Sequence, residues 1–349
     1  MDGLCHLASG GLLAATGLRR AAPRALPALV LGACAPDIEA VWTGGGQARF
    51  FDLHRGWTHS LFGLPVLSLA LAAGLVLWDR RASKRPQGAR FRPLFLLSLL
   101  ATGLHLFLDF CNTYGVRPLL PFDGRWFYGD ALFIVDPWMW GLPLLAIHLF
   151  RPRPRALTAL LWALWTAMAA LFFWRPEVAA ATLGCWLVLP AIALLRDAGL
   201  LGIASPERMA RALSMLLALY VTGMFWVQAK LARDFRAGLP EGARASAVLP
   251  SPAHPLRWTA LAVLGGELHV GALHYGLPVP RRLPHVLALN LEEPRVRRFA
   301  ATAEGRIVMD FFRFPFARRE TIDGRPRLVV RDARFGLERR SSVGVVVLE

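Results

Sequence analysis

Histidine and acidic side chains occur beside or inside apolar segments of this 349-residue chain. His54 and His59 precede one apolar segment, and His105 and Asp109 lie inside the next. An ionisable group at the centre of a membrane helix costs about 2.5–3.5 kcal/mol, so several such groups at one place need a compensating partner. A metal ion bound by imidazole and carboxylate groups is the simplest partner that would satisfy all of them.

The spacing of these side chains supports a shared site. His105 and Asp109 are four residues apart, so on an α-helix they lie one turn apart on the same face and can share a cation. The alternative for this pair is a buried histidine–aspartate hydrogen bond. His54 and His59 are five apart, which places at least one of them on the loop before the span, and the alternative for them is interfacial polarity. The predicted metal ligands are His6, Asp37, His54, His59, His105 and Asp109.

The donor types indicate hydrolytic chemistry. Mixed imidazole and carboxylate ligation suits zinc, with manganese or iron as alternatives, and an open coordination position lowers the pKa of bound water toward 7. His6 and Asp37 would complete this site or bridge a second metal ion. Asp136 or Glu39 is predicted to act as general base or to orient a ligating imidazole. Arg55 is predicted to stabilise negative charge on the substrate, with a salt bridge to Asp37 or Glu39 as the alternative.

The composition indicates a polytopic membrane protein. Hydrophobic residues make up 55% of the chain and charged residues 18%, which is too apolar for an ordinary soluble domain. Residues 7–18 and 26–35 are each too short to span, so they predict a re-entrant or interfacial helical pair. Six later stretches approach the roughly 20 apolar residues that a spanning helix needs. They are Leu61–Trp78, Leu94–Asp109, Ala131–Phe150, Ala156–Trp174, Val178–Leu195 and Ala212–Ala229.

Many of the basic residues behind the net charge of +16 indicate membrane topology and not a nucleic-acid partner. A nucleic-acid partner would require a basic stripe with elements that read bases or phosphates. Instead, basic residues gather at span boundaries in the loops of residues 79–93, 151–155 and 196–211. The positive-inside rule makes these loops cytoplasmic. The opposite helix ends carry the histidine and acidic motifs, so we expect those motifs together on the extracytoplasmic side.

The last third of the chain predicts a β-rich extramembrane domain, expected on the extracytoplasmic side. Gly265-Gly266 suits a tight hairpin between two short alternating segments. Arg306–Phe314 predicts another strand, and Asp323-Gly324 predicts a turn. The predicted organisation is an N-terminal helical segment and motif loop at residues 1–60, a transmembrane helical domain with the metal site at 61–229, and the β-rich domain at 235–349.

The order of the short motifs resembles a known family. The motifs are Met1-Asp2-Gly-Leu-Cys-His6, Ala-Pro36-Asp37-Ile-Glu39, His54-Arg-Gly-Trp-Thr-His59-Ser, His105-Leu-Phe-Leu-Asp109 and Asn112-Thr-Tyr-Gly115. Over about residues 1–150 the chain resembles the LexA-regulated, inner-membrane, metal-dependent hydrolase family, with Cys5 where that family's pattern has Thr. The resemblance implies a bacterial, multi-pass inner-membrane protein that uses a metal ion for hydrolysis. It does not identify the substrate.

Two function classes follow from these observations. A metal site at the bilayer edge favours a hydrolase for an amphiphilic substrate, such as a phosphoester or a lipid-linked intermediate. The alternative is a non-catalytic, metal-stabilised transporter or a scaffold whose β-rich domain binds a partner. A transporter would carry polar residues through several spans. Ala156–Trp174 and Val178–Leu195 are nearly free of them, which favours a surface-facing site.

Overall fold

The chain forms two compact units. The computed structural model describes residues 1–44, 46–82, 88–150, 153–174, 178, 180–280, 282–337 and 344–348. Parts of two predicted cytoplasmic loops, residues 83–87 and 151–152, lie outside this range. The first unit comprises Met1–Glu39, Arg55–Met224 and Pro252–Pro255, and the second comprises Ala40–His54, Phe225–Ser251 and Leu256–Glu349.

Helices dominate the first unit, and strands occur in the second. The α-helices are α1 (Gly3–Ala15), α2 (Ala25–Gly32), α3 (Gln47–Leu53), α4 (Gly63–Ala82), α5 (Phe91–Phe110), α6 (Pro137–His148), α7 (Arg155–Phe173), α8 (Ala180–Asp197), α9 (Pro206–Ala237), α10 (Pro294–Ala301) and α11 (Ala303–Phe311). The strands are β1 (Ala245–Ser251), β2 (His254–Leu264), β3 (Glu267–His274), β4 (His285–Ala288), β5 (Pro315–Ile322), β6 (Arg325–Asp332) and β7 (Val345–Leu348). Short 3₁₀ helices span Leu18–Arg20, Ala35–Trp42, Trp57–His59 and Ala333–Phe335.

Several helices can cross a membrane. Among the described residues, four helices are long and apolar enough by length and composition, namely α4, α5, α7 and α9. Helix α2 and the 3₁₀ helix Ala35–Trp42 form a pair bent by 50°, which would make a fifth if it is one broken span. The prediction of a mostly helical, multi-pass membrane protein with a C-terminal β region is confirmed at this level.

One predicted span is shorter than expected. The stretch Ala131–Phe150 forms a helix only over Pro137–His148, which is 12 residues. The backbone N–H groups of Ala131 and Leu132 both donate to the Cys111 carbonyl at 2.9 Å, so this part of the chain is tied to the end of α5. The side chain of Asp136 then accepts hydrogen bonds from N–H groups in the first turn of α6 and starts the helix there.

Small residues let α2 lie close against α5. A Cβ atom at Gly32 would stand 3.0 Å from the Ala101 Cβ and 3.2 Å from the Ser98 carbonyl oxygen. Ala28, Ala33 and Ala101 are fully buried in the same core cluster. Helix contacts built from small residues are typical of membrane interiors, where backbones must approach closely to pack. This contact brings the end of α2 beside the middle of α5, one turn before His105.

The strands of the second unit form two sheets. One sheet has the order β1-β2-β3-β4, and the other has the order β5-β6-β7. Leu264 pairs with Glu267, so Gly265-Gly266 is a two-residue hairpin turn, and both glycines have positive φ (54° and 87°). Asp323-Gly324 connects β5 and β6 in the same way. Both turn predictions are confirmed.

The strand predicted at Arg306–Phe314 is wrong, because residues Ala303–Phe311 form α11. The Thr302 side chain caps the helix by accepting a hydrogen bond from the Gly305 N–H at 2.9 Å. Gly305, Val308 and Phe311 are buried at three-residue intervals, which is the period of a helix face and not of a strand. The alternation visible in the sequence was therefore too short to distinguish the two periods.

Candidate metal centre

Four side chains from three segments converge in the first unit. Asp37 comes from the 3₁₀ helix after α2, His59 from the 3₁₀ helix before α4, and His105 and Asp109 from α5. Each offers one ligand atom, and these four atoms lie within 4.8 Å of one another. The side chains of His59, His105 and Asp109 are at most 1% exposed, whereas Asp37 is 32% exposed. The cluster is therefore closed except on the side of Asp37.

The spacing of the four atoms fits a single metal ion. The Nε2 atoms of His59 and His105 are 3.0 Å apart. Asp109 Oδ2 lies 3.2 Å from the first and 3.4 Å from the second. The corresponding distances of Asp37 Oδ1 are 3.5 and 3.6 Å. Ligands bound tetrahedrally to zinc at 2.0–2.1 Å stand about 3.3–3.4 Å apart, so the measured distances bracket the expected value.

Both imidazoles are oriented with Nε2 toward the cluster. His105 Nδ1 lies 2.7 Å from the Ala33 carbonyl oxygen, which can only accept, so Nδ1 carries the proton. His59 Nδ1 lies 3.3 Å from Glu39 Oε1, which favours the same tautomer. Metal-ligating histidines commonly donate their second ring N–H to a carbonyl or carboxylate in this way. In the neutral form of each ring, the arrangement makes the Nε2 lone pair available as a ligand.

The carboxylates give the cluster a strongly negative potential. Burial lowers the pKa of His59, but the hydrogen-bonded carboxylates of Asp109, Asp37 and Glu39 outweigh it and raise that pKa to about 10. These carboxylates therefore favour a proton on the His59 ring. A divalent cation satisfies the same potential, and its binding would release that proton.

Arg55 is fully buried, and its guanidinium group donates hydrogen bonds to other groups of the protein. Its Nη1 donates to the carbonyl oxygens of Asp109 (3.2 Å) and Gly115 (2.9 Å) and to Asn112 Oδ1 (3.1 Å). Its Nη2 donates to Asp109 Oδ1 at 2.8 Å, and its backbone N–H donates to Glu39. Arg55 thus compensates the charge of Asp109 and holds the loop after α5. The role in substrate stabilisation predicted for Arg55 stays a prediction.

Two more predicted residues border the cluster. The His6 ring stacks on the His105 ring with centroids 3.6 Å apart, and His6 Nε2 lies 3.2 Å from Asp109 Oδ1. His6 therefore faces the oxygen of Asp109 that points away from His59 and His105. Glu39 faces the His59 ring and also accepts hydrogen bonds from the Arg55 N–H and the Thr58 hydroxyl.

Two predicted residues are not part of this group. His54 belongs to the second unit, where its ring stacks on Phe50 with centroids 4.8 Å apart. Asp136 caps α6 and accepts a hydrogen bond from the Tyr220 hydroxyl at 2.7 Å. The ligand role of His54 and the general-base role of Asp136 therefore rest on the sequence motifs.

Three parts of the site were not predicted from the sequence. The Ala33 carbonyl orients His105, the Thr58 hydroxyl binds Glu39, and the Met1 amino group contacts Asp109. Thr58 lies inside the histidine motif, which was a usable signal. A backbone carbonyl leaves no signal in residue types, so Ala33 could be found only in the fold.

Comparisons with known proteins find matches to the part of the chain that contains this cluster. A family model described as YdjM inner membrane protein matches residues 1–179, which include all four converging residues. The chain is also similar to the uncharacterized protein YfhP of Bacillus subtilis (strain 168), with 32% identity over 123 residues. The aligned part is 35% of this chain and 36% of that relative, so the chain spans about a third of the relative's length. No solved structure matches.

Proposed function

We propose that this chain, which belongs to the YdjM inner membrane protein family, is a membrane-embedded, metal-dependent hydrolase. The membership agrees with the family resemblance of the sequence motifs. One observation carries the proposal, namely that two imidazole Nε2 atoms and two carboxylate oxygens converge within 4.8 Å. The groups behind the imidazoles, the Ala33 carbonyl and Glu39, support ligation by these nitrogens.

The donor set fits zinc best, with manganese or iron as alternatives. Asp37, His59, His105 and Asp109 would hold the ion. When bound, such an ion acts as a Lewis acid and lowers the pKa of bound water toward 7. Glu39 keeps His59 in the ligating orientation, and Arg55 balances the charge of Asp109 in the buried site. Substrate would approach on the side of Asp37, the one partly exposed member of the four.

An amphiphilic phosphoester or lipid-linked molecule is the substrate class that we favour. Ile38, Trp57 and Leu61, which are close in sequence to the ligands Asp37 and His59, are 50%, 44% and 55% exposed. Exposed apolar side chains beside a polar site suit a substrate with a charged head and an apolar tail. In our proposal the protein has six spans, and the site and the C-terminal domain lie on the extracytoplasmic side of the inner membrane.

A second candidate function has its own supporting observation. Catalytic zinc sites keep one position open, whereas four protein ligands close a structural site. If Asp37 remains bound together with the other three ligands, the ion would stabilise the helices without catalysis. In that case the protein would be a metal-stabilised transporter or scaffold.

Elemental analysis of the detergent-purified protein tests the metal site. We expect about one transition-metal ion per chain in the parent, and less than about a tenth of that in the triple variant His59→Ala, His105→Ala, Asp109→Ala. His285→Ala, which removes an exposed histidine of the second unit, is the matched control and keeps the metal. Circular dichroism establishes that each variant is folded. A folded parent that stays metal-free after reconstitution with zinc, manganese or iron would overturn the proposal.

Hydrolysis assays then separate the two functions. The metal-loaded parent is expected to hydrolyse a lipid phosphoester in mixed micelles, and the triple variant is not. Full metal occupancy without hydrolysis of water-soluble or lipid phosphoesters would favour the non-catalytic function. An Asp37→Ala variant that keeps its metal ion and gains hydrolytic activity would show that Asp37 closes the coordination site in the parent.

A further inference from the structure

The second unit carries more positive charge than membrane topology explains. Residues 244–349 contain 17 arginines and 10 acidic residues, an excess of 7 positive charges. The positive-inside rule concerns short loops next to spans, so it does not account for arginines on a folded domain. The contacts of these arginines and the cavities that they line indicate another role.

Several of these arginines have no side-chain partner within the described part of the chain, and four of them line neighbouring cavities. The guanidinium groups of Arg295, Arg298, Arg325 and Arg327 make no hydrogen bond or ion pair with any described residue. Other arginines of the same unit are paired, as Arg297 on α10 is with Glu292, which precedes that helix. Within the described part of the chain, the donors of these four guanidinium groups are therefore unused.

These four arginines line adjacent cavities, which we call the arginine cleft. Arg295 and Arg298 line a cavity of about 600 Å³ between α10, α11 and β7. Arg325 and Arg327 line another of about 430 Å³. A third cavity, of about 360 Å³, is lined by Arg295, Arg325 and Arg327 and so connects the two sets. Pockets that hold small ligands have volumes of roughly 300–1,000 Å³.

The charge of the arginine cleft favours an anion. Glu304 and Asp323 also line these cavities, but neither forms an ion pair with an arginine among the described residues. Among the described lining residues, four guanidinium groups stand against two carboxylates, which is a positive balance. The planar fork of arginine matches the oxygens of a phosphate group, to which it can donate two parallel hydrogen bonds.

We propose that the arginine cleft binds a phosphate-bearing anion. A free phosphate compound and the headgroup of an anionic lipid share this chemistry. The site is separate from the histidine and aspartate cluster, because its residues belong to the second unit and the cluster belongs to the first. The proposal therefore does not depend on the metal-dependent function.

The test uses the full chain at constant ionic strength. In one arm, inorganic phosphate is titrated into detergent-solubilised protein and binding is measured by calorimetry. In the other, the protein is placed in nanodiscs with or without phosphatidylglycerol, and bound lipid is quantified. We expect saturable binding in at least one arm, weakened at least about tenfold by Arg295→Gln with Arg327→Gln. Arg297→Gln is the control, since that guanidinium pairs with Glu292 and does not line the cleft.

Some outcomes identify the source of the phosphate group, and others overturn the proposal. Arginine-dependent binding of inorganic phosphate identifies a soluble ligand, and arginine-dependent retention of phosphatidylglycerol alone identifies a headgroup. Equal binding by parent and double variant in both arms, or no binding in either, overturns the proposal. Succinate is expected to bind at least about tenfold more weakly than phosphate, and equal binding would overturn the assignment to phosphate. The His59→Ala, His105→Ala, Asp109→Ala variant should bind phosphate like the parent, which excludes binding at the metal site.

Discussion

The two imidazoles of the cluster differ in what holds their Nδ1 atoms. His105 is held by a backbone carbonyl of Ala33, which no substitution removes directly. His59 is held by the side chain of Glu39, which can be changed. A substitution of Glu39 therefore tests how the orientation of His59 affects metal binding, without removing a proposed ligand.

Glu39→Gln is expected to weaken metal binding by about 10- to 100-fold without removing a ligand. The amide keeps a similar shape but loses the negative charge that faces the His59 ring. Competition with a chromophoric chelator measures the affinity. Glu241→Gln, which changes an exposed acid of the second unit, serves as the control. Equal affinities in the parent and Glu39→Gln would contradict the orienting role of Glu39.

His105→Ala and Asp109→Ala are both expected to reduce bound metal to less than about a tenth without preventing membrane insertion. They should differ in stability, because Asp109→Ala also leaves the buried Arg55 guanidinium without its carboxylate. Removing one partner of a buried ion pair costs about 3–5 kcal/mol. Metal analysis and thermal unfolding in detergent measure the two effects. Unchanged metal content in both variants would refute these ligand assignments.

At the scale of secondary structure elements, the β5–β6 hairpin contains a paired carboxylate. Glu320 on β5 accepts hydrogen bonds from Arg331 on β6 and from Arg318 on its own strand, at 2.6 Å in each case. The Arg331 hydrogen bond is the main cause that lowers the pKa of Glu320 from 4.5 to about 2, and Arg318 adds to it. The ionised carboxylate thus favours the folded hairpin.

This shift predicts how stability depends on pH. Because the folded pKa lies below the ordinary value, Glu320 contributes stability that is fully present above pH 4.5 and is lost as the pH falls toward 2. Thermal unfolding of the full chain in detergent between pH 5 and about 3 measures the loss. Glu320→Gln should flatten that dependence, and Glu304→Gln, at an exposed acid, should not. Identical pH slopes in the parent and Glu320→Gln would show that the pair is not coupled to folding.

The sequence predicted local relations well and distant ones incompletely. The four-residue spacing of His105 and Asp109 is a property of one helix, so their common face followed directly from helix geometry. The convergence of Asp37 and His59 on that face depends on how α2 packs against α5, which residue types indicate only indirectly. Helix α11 was mistaken for a strand because its capping by Thr302 outweighs a short alternating pattern.

At the scale of the whole molecule, the proposed orientation can be tested independently of the chemistry. Alkaline phosphatase fused after Glu349 is expected to be active, and a fluorescent protein fused there is expected to be dark, because the C-terminal domain is proposed to lie outside the cytoplasm. The same reporters inserted in the basic loop of residues 79–93 should give the opposite results. A cytoplasmic C-terminus would overturn both the orientation and the inference of a common extracytoplasmic face.

The position of the cluster along the chain has a consequence for biosynthesis. The four ligand residues lie between Asp37 and Asp109, and the orienting carbonyl of Ala33 just precedes them. Translation proceeds from the N-terminus, so every donor atom exists before α6 has been made. In our proposal, a nascent chain could therefore bind the metal ion once α4 and α5 have inserted. Loading need not wait for the ribosome to produce the sheets of the second unit.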